Sequence, residues 1–300
     1  LSTLASLSLL ALVSPFHALA RQKILLYTYT QTFRHDSIPT AVEQIQKWGS
    51  TEWPYYDVFH TENLRLFDQK GFLNQFDALV FVSTSGRILN PKGEQNMIRY
   101  IRNGGGFMGV HEASDSVYHP WYGRLLGAFF NYHPEECKAE LIVEDSDHPS
   151  VSFLTNGTWN VKDEMYNFLS DPRAYGRQLV LSANESSYHD PVETKAQRAS
   201  EQGSPHPLAW WKEGSLMDPA DHRVGGMTDD NSTSLRASGG DGRSFYTALG
   251  HSNETWMDET FQKHFLGGLF WVLNSTTIKS SSPEVESWRP GQNYTAREPF

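Results

Sequence analysis

Three short apolar runs constrain the fold most: Lys23–Tyr29 (KILLYTY), Asp77–Ser83 (DALVFVS) and Phe107–Val110 (FMGV). None alternates polar with apolar residues, as expected of strands covered on both faces. Helix patterns stand between them. Ser37 precedes one in which Ile38, Val42, Ile45 and Trp48 share a face, with Pro39 in its first turn. Tyr55–Phe59 reads as a further strand. Asn90-Pro91 then opens a helix with Met97, Ile98 and Ile101 inward and Arg99 and Arg102 near its negative end. Such strand–helix alternation folds as a parallel sheet with helices on both faces, an α/β class.

The second half is more mixed. Ala139–Val143, Asn160–Phe168, Gln178–Ser182, Pro207–Trp211 and Ser244–Leu249 read as strands. Asp258 opens a helix whose Phe261, Phe265 and Leu269 would pack back on the sheet. From Glu213 to Asp241 the composition turns to Gly, Asp, Ser and Thr, which predicts a surface insertion. Residues 275–300 are rich in Ser, Thr and Pro and read as a poorly ordered tail.

Residues 1–20 contain no Asp, Glu, Lys or Arg and end in Ala18-Leu19-Ala20, a small-x-small cleavage pattern. They read as part of a signal peptide, with a mature domain over 21–274 and a secreted, extracellular location. Asn156, Asn184, Asn231, Asn253, Asn274 and Asn293 each begin an Asn-x-Ser/Thr triplet, six of fourteen asparagines, which points the same way. The single cysteine, Cys137, cannot close an internal disulfide, so the core must supply the stability. A net charge of −10 argues against nucleic acid or an acidic membrane as partner. No oligomeric state follows from these features.

The run from Gly104 to Pro134 carries the chemistry. Gly104–Gly106 release a helix, a short strand follows, and at its carboxyl end come His111, Glu112, Ser114, Asp115 and Tyr118. Ligands sit beyond the carboxyl ends of strands in open α/β sheets. Gly109-Val110-His111-Glu112-Ala113 compares with a nucleophile elbow, but its centre is His, which serves as acid, base or metal ligand. Thiol catalysis from this elbow is excluded by composition. Ser114 and Ser116 could act as nucleophiles or cap the next helix. His35 in FRHDS, His133 in NYHP, Glu164 in KDEMY and His251 in ALGH also follow strands or lie on them. Each alone has a bland role: capping, satisfying backbone, pairing with Arg173, or exposure in a loop. Together they recur where a scaffold presents functional groups.

His111 is expected as acid/base with Glu164 or Asp115 as partner. His35, His133 and His251 are expected beside it. As a loop residue, His111 should be removable with little loss of thermal stability. His35, His111, His133 and His251 with Asp115 or Glu164 could supply ligands to a divalent metal. No pair has the close His-x-x-x-His spacing, so the reading leans against a metal cofactor.

GGGFMGVHEASDSVYHPWYGRLLGAFFNYHP, FRHDSIP, KDEMYNF, HPLAWW and GRSFYTALGH resemble the ThuA-like, trehalose-utilisation family across Lys23–Asn274. The resemblance implies a flavodoxin-like α/β sandwich of the class I glutamine amidotransferase type. It also implies a carbohydrate ligand, a glycoside or keto-sugar, whose ring Tyr118 and Trp121 would hold, and carries His35, His111, Asp115, Tyr118, His133, Glu164 and His251 over as motif residues. His111 stands where the amidotransferase cysteine would be, which rejects glutamine hydrolysis. Two readings remain: an enzyme on sugars, or a non-catalytic carbohydrate-binding or scaffold protein. They part on whether the histidines and Glu164 line one pocket.

Overall fold

The computed structural model describes residues 21–52, 54–218 and 242–274. The leader, residues 219–241 of the expected insertion, the tail, and the sequons at Asn231 and Asn293 lie outside the described residues.

Apolar runs become strands where they were expected, with two exceptions. The strands are β1 (Gln22–Tyr27), β2 (Tyr56–Thr61), β3 (Ala78–Val82), β4 (Ser85–Gly86), β5 (Gly106–Val110), β6 (Asp115–Ser116), β7 (Phe130–Tyr132), β8 (Cys137–Val143), β9 (Thr158–Asp163), β10 (Asn167–Phe168), β11 (Gln178–Ala183), β12 (His206–Glu213) and β13 (Arg243–Thr247). The run Asn160–Phe168 is therefore not one strand: it breaks at Glu164–Tyr166, where the chain leaves the sheet. The last strand stops at Thr247, so Ala248–His251 form a loop.

Nine strands make the main sheet, in the order β2-β1-β3-β5-β13-β12-β11-β8-β9. β2, β1, β3, β5 and β13 pair in parallel. β12, β11, β8 and β9 continue the sheet through antiparallel pairs, so β12 and β8 run against the other seven. The parallel half reads as continuous apolar sequence because it is buried on both faces; the five residues of β3 and of β5 are all buried.

The helices are α1 (Ile38–Thr51), α2 (Pro91–Arg102), α3 (Pro120–Leu126), α4 (Lys195–Gln202), α5 (Asn253–Met257) and α6 (Glu259–Leu273). α1, α5 and α6 share one face, where Trp48 meets Trp256 and Phe265. α3 lies on the other, its Tyr122 against Phe81 and Phe107. Asn90 caps α2 by accepting from the N–H groups of Lys92 and Gly93, and Asp258 caps α6 through Phe261 N–H. Ser37 precedes α1 but makes no side-chain cap. Its hydroxyl instead donates to the carbonyl of His251, 2.6 Å away, which ties the start of α1 to the loop after β13.

The sheet order reverses direction at β1: β2 lies on one side of it and β3 on the other. The crevice beyond the carboxyl ends of β1, β3 and β5 is the place where such sheets bind ligands. Gly109 brings α3 onto this region, since a Cβ there would lie 2.6 Å from Leu126 Cδ1. No helix among the described residues is long and apolar enough to cross a membrane.

Candidate functional site

His111 ends β5 with φ +55°, the left-handed region in which a non-glycine residue is uncommon, and opens a single 3-10 turn, His111–Ser114. The turn points the ring back into the crevice. Its Nδ1 lies 2.7 Å from the carbonyl oxygen of Ala248, which can only accept, so Nδ1 carries a proton. Tyr246 hydroxyl lies 2.8 Å from His111 O and 2.9 Å from Ser114 Oγ, holding the turn from below.

Nε2 of His111 faces three groups. His35 Nε2 is 3.0 Å away, Tyr166 Oη 3.0 Å and Glu164 Oε2 3.4 Å. His35 comes from the loop after β1, where Arg34 is anchored by Glu62 at 2.7 Å. The Nδ1 of His35 lies 3.0 Å from Glu112 Oε2. His251 comes from the loop after β13, with its Nδ1 3.2 Å from Glu164 Oε2. His133, just past β7, places Nε2 3.4 Å from the other oxygen, Glu164 Oε1, while its Nδ1 donates to Pro134 O at 2.8 Å.

One buried carboxylate assembles this group. Asp163, the last residue of β9, accepts from the N–H groups of Glu164 (2.8 Å), Gly250 (3.0 Å) and His251 (3.4 Å) and from the hydroxyl of Thr255 (3.1 Å). It thus joins the loop bearing Glu164 to the loop bearing His251. Gly250 makes the bend between them, with φ +126°.

The charges follow from this packing. Burial alone would raise the Glu164 carboxyl, but His111 and His251 beside it, together with His133, overcome that and hold it well below the usual carboxylate range. The Glu164 carboxylate, 3.2 Å away, raises His251 above its ordinary value. Burial, aided by His111 and His251, pushes His35 down to about 3. Burial, then Asp115 and Glu164, pushes Glu112 up to about 9. His35 and Glu112 are therefore both neutral at pH 7. The hydrogen-bond chain then includes Glu112 donating to His35 Nδ1 and His111 Nδ1–H donating to Ala248 O.

Two atoms stay outside that chain. His251 Nδ1 and Glu164 Oε2 are close, yet their alignment makes no hydrogen bond, and both are buried without a hydrogen-bond partner among the described residues. Buried polar atoms of this kind are rare and mark strain, catalysis or an ion. His35, His111, Glu164 and His251 each offer one ligand atom, and the four atoms lie within 4.8 Å of one another. Ligands of a tetrahedral zinc stand about 3.3 Å apart, given bonds near 2.0–2.1 Å. Three of the six separations, 3.0, 3.2 and 3.4 Å, bracket that value, and none of the six exceeds 4.8 Å. The donor set fits a divalent transition ion. Glu112 behind His35 and the Ala248 carbonyl behind His111 stand where second-shell partners orient ligand imidazoles.

The other expected site residues divide. Asp115 does not partner His111 here; it accepts a hydrogen bond from Tyr118 Oη, and burial pushes its carboxyl up to about 6. Trp121 is only 1 % exposed and donates its Nε1–H to Glu94, so it cannot hold a sugar ring. Its size and position in the motif suggested a surface role, whereas α3 turns it into the core. Ser114 and Ser116 bond to Tyr246, to the His111 carbonyl and to Thr84, and to no histidine ring among the described residues, which argues against either as a nucleophile. Glu164 is not paired with Arg173, which bonds Asp171. The thiol of Cys137 is half-buried at the start of β8, with its pKa raised by burial.

Glu112, Asp163 and Tyr166 were not selected from the sequence as site residues. Their segments were, so the signal was at hand: each adjoins a selected residue or follows it by two. A strand register and a loop crossing were needed to give them roles.

The ThuA family model, described as trehalose utilisation, matches residues 23–272. Among solved structures, the chain is similar to a ThuA-like protein from Bacteroides uniformis ATCC 8492, with 17% identity, TM-score 0.59, and coverage of 86% of this chain and 95% of that one. It is also similar to a ThuA-like protein from Parabacteroides merdae ATCC 43184, with 18% identity, TM-score 0.56, and coverage of 86% and 92%. No curated protein matches it. The structural likeness bears on the fold, which agrees with the α/β sandwich expected from the sequence.

Proposed function

The chain belongs to the ThuA (trehalose utilisation) family, and from that premise we propose that it is a carbohydrate-active enzyme whose centre is a divalent metal held by His35, His111, Glu164 and His251. The observation that carries the reading is the buried, hydrogen-bond-free pair of His251 Nδ1 and Glu164 Oε2 within a set of inward-facing imidazole nitrogens. The convergence of five expected residues also favours an enzyme over an inert binding module, because an inert surface has no need of buried histidines around a carboxylate.

A metal bound there would act as a Lewis acid on a sugar hydroxyl or carbonyl. His111 is 0% exposed, so it holds and orients rather than meeting the substrate. His133 is the most accessible histidine of the group, with 34% of its side chain exposed against 27% for His251, and is the acid/base of the reading. Glu164 orients it through Oε1. The substrate is a glycoside or keto-sugar, and the reaction a proton-transfer-dependent hydrolysis, elimination or isomerisation. Purified protein should carry close to one divalent metal ion per chain by mass spectrometry. After chelation, added zinc should raise the melting temperature by mass action. Protein that is metal-free as purified and does not respond to zinc would refute the metal centre.

The site of action in this reading is extracellular. The charge-free leader and the sequons support it, and Asn156, Asn253 and Asn274 are exposed. Asn184 is only half-exposed and its amide nitrogen donates to Glu140 at 2.7 Å, so it should carry a glycan least readily of the four described. Protein made in a eukaryotic secretory host should reach the medium, lack residues 1–20 and lose mass on enzymatic deglycosylation. Retention of the leader without mass loss would refute secretion.

A further inference from the structure

Arg177 immediately precedes β11, which runs in the same direction as β5, so it lies at the amino end of the sheet, away from the histidine centre. A single 3-10 turn, Pro172–Tyr175, and Gly176 at φ +73° turn the chain so that the guanidinium enters the protein, where Arg177 is only 2% exposed. There its Nη2 donates to the carbonyls of Arg124 and Leu125 in the last turn of α3. A cation suits that end of a helix.

The helix end occupies one nitrogen of the three. Nε and Nη1 are buried without a hydrogen-bond partner among the described residues. They carry three of the five N–H hydrogens of a guanidinium. A fully buried arginine is ordinarily paired, because a charge taken out of water needs both an opposite charge and acceptors for its donors. No carboxylate meets this one. Burial alone acts on Arg177, lowering it to about 9. The acids on the adjoining segments are engaged elsewhere: Asp171 pairs with Arg173 at 2.7 Å and Glu213 with Arg243 at 3.0 Å.

What stands nearby instead is a second cation. Lys212 of β12 donates from Nζ to the carbonyl of Tyr175 at 2.8 Å, which leaves two of its three donors over. The same Nζ lies 3.6 Å from where a Cβ on Gly176 would be. Burial and then the charge of Arg177 lower Lys212 below its ordinary value, so the two cations feel each other. Gly176 between them is exposed, which places this buried pair one residue from solvent.

We propose that Arg177 and Lys212 hold a small monovalent anion of the halide class, chloride, beneath the end of α3. The ion accepts from guanidinium N–H groups that no protein acceptor meets and offsets two positive charges in one place. The burial of Arg177 favours a single atom over a phosphate or sulfate, whose four oxygens need a wider opening. The role is structural: the ion ties the turn before β11 and the end of β12 to the last turn of α3. It depends on neither the metal centre nor the carbohydrate reading.

The test uses the full chain, with chloride replaced by gluconate at constant ionic strength and pH. The melting temperature should rise with chloride by roughly 3–5 °C for each tenfold increase above the dissociation constant, as mass action requires of a ligand that binds only the folded state. Crystals grown in bromide should show an anomalous peak in contact with Arg177 and Lys212. Arg177→Met removes a helix cap and fails to separate folding from binding, so Lys212→Gln is the variant to use. It should fold like wild type and bind chloride about tenfold or more weakly, the scale of one charge-assisted hydrogen bond. Equal melting temperatures in chloride and gluconate, or bromide absent from Arg177, would overturn the anion site and leave those donors to water. A Lys212→Gln protein with the wild-type chloride response would overturn the site as a two-cation site.

Discussion

Changing His111 to asparagine should empty the centre without unfolding the chain. The Ala248 carbonyl needs a donor, and an asparagine amide nitrogen can replace His111 Nδ1 there. The left-handed backbone at φ +55° suits asparagine better than most residues. What disappears is Nε2, the atom facing His35, Tyr166 and Glu164. Bound metal should fall to background and the zinc-induced rise in melting temperature should vanish. Turnover of any sugar the wild type accepts should drop by about 10²–10⁴-fold, the usual reach of an essential acid/base or ligand. His111→Ala is the poorer probe. It leaves a buried carbonyl unsatisfied, at about 1–3 kcal/mol, and opens a cavity besides. The sequence alone leads to the expectation that His111→Ala leaves thermal stability nearly unchanged; full burial of the ring leads to the opposite expectation. An asparagine variant with full metal content and full turnover would take His111 out of the site.

Asp163→Ala should cost more stability than any other single change near the site, about 3–5 kcal/mol, because it strands buried donors. Three backbone N–H groups and the Thr255 hydroxyl lose their acceptor at once. The same change frees the Glu164 loop from the His251 loop, so two of the four ligands lose their common anchor. A urea unfolding midpoint and the metal content measure the two effects separately. Asp163→Asn keeps the volume and one acceptor oxygen and should fall between wild type and Ala in both. If Asp163→Ala unfolds like wild type, the carboxylate is not the clamp described. Burial raises the Asp163 carboxyl, and neighbouring His111 and the backbone N–H groups of Gly250 and Glu164 oppose that rise.

The parallel half of the fold was legible because burial on both faces leaves a direct mark. KILLYTY, DALVFVS and FMGV carry no polar alternation, and they became β1, β3 and β5 as expected, with β2 between. The caps at Asn90 and Asp258 were legible for a similar reason, since a capping side chain acts within three residues of its own position. Ser37 shows the limit of that reasoning. Its position predicts a cap, but a competing acceptor 214 residues away, the His251 carbonyl, takes its hydroxyl.

By itself, then, the sequence determined the α/β class, the elbow with histidine at its centre, the exclusion of thiol catalysis from that elbow, and which histidines and acids would be chemically relevant. These follow from local patterns and composition. Only the tertiary structure decided which of them meet. His35, His111, Glu164 and His251 come from four separate loops, and no spacing along the chain encodes that their ligand atoms all lie within 4.8 Å of one another. That is why the absence of a close histidine pair weighed against a metal, although the folded donor set favours one. The same holds for Trp121 and Phe33. Both are large aromatics near site motifs, and their sequence context is alike. Helix α3 turns Trp121 to Glu94 in the core, while the loop after β1 leaves Phe33 facing solvent beside His35. Which way a side chain faces depends on how its element packs against distant ones, and only the fold contains that information.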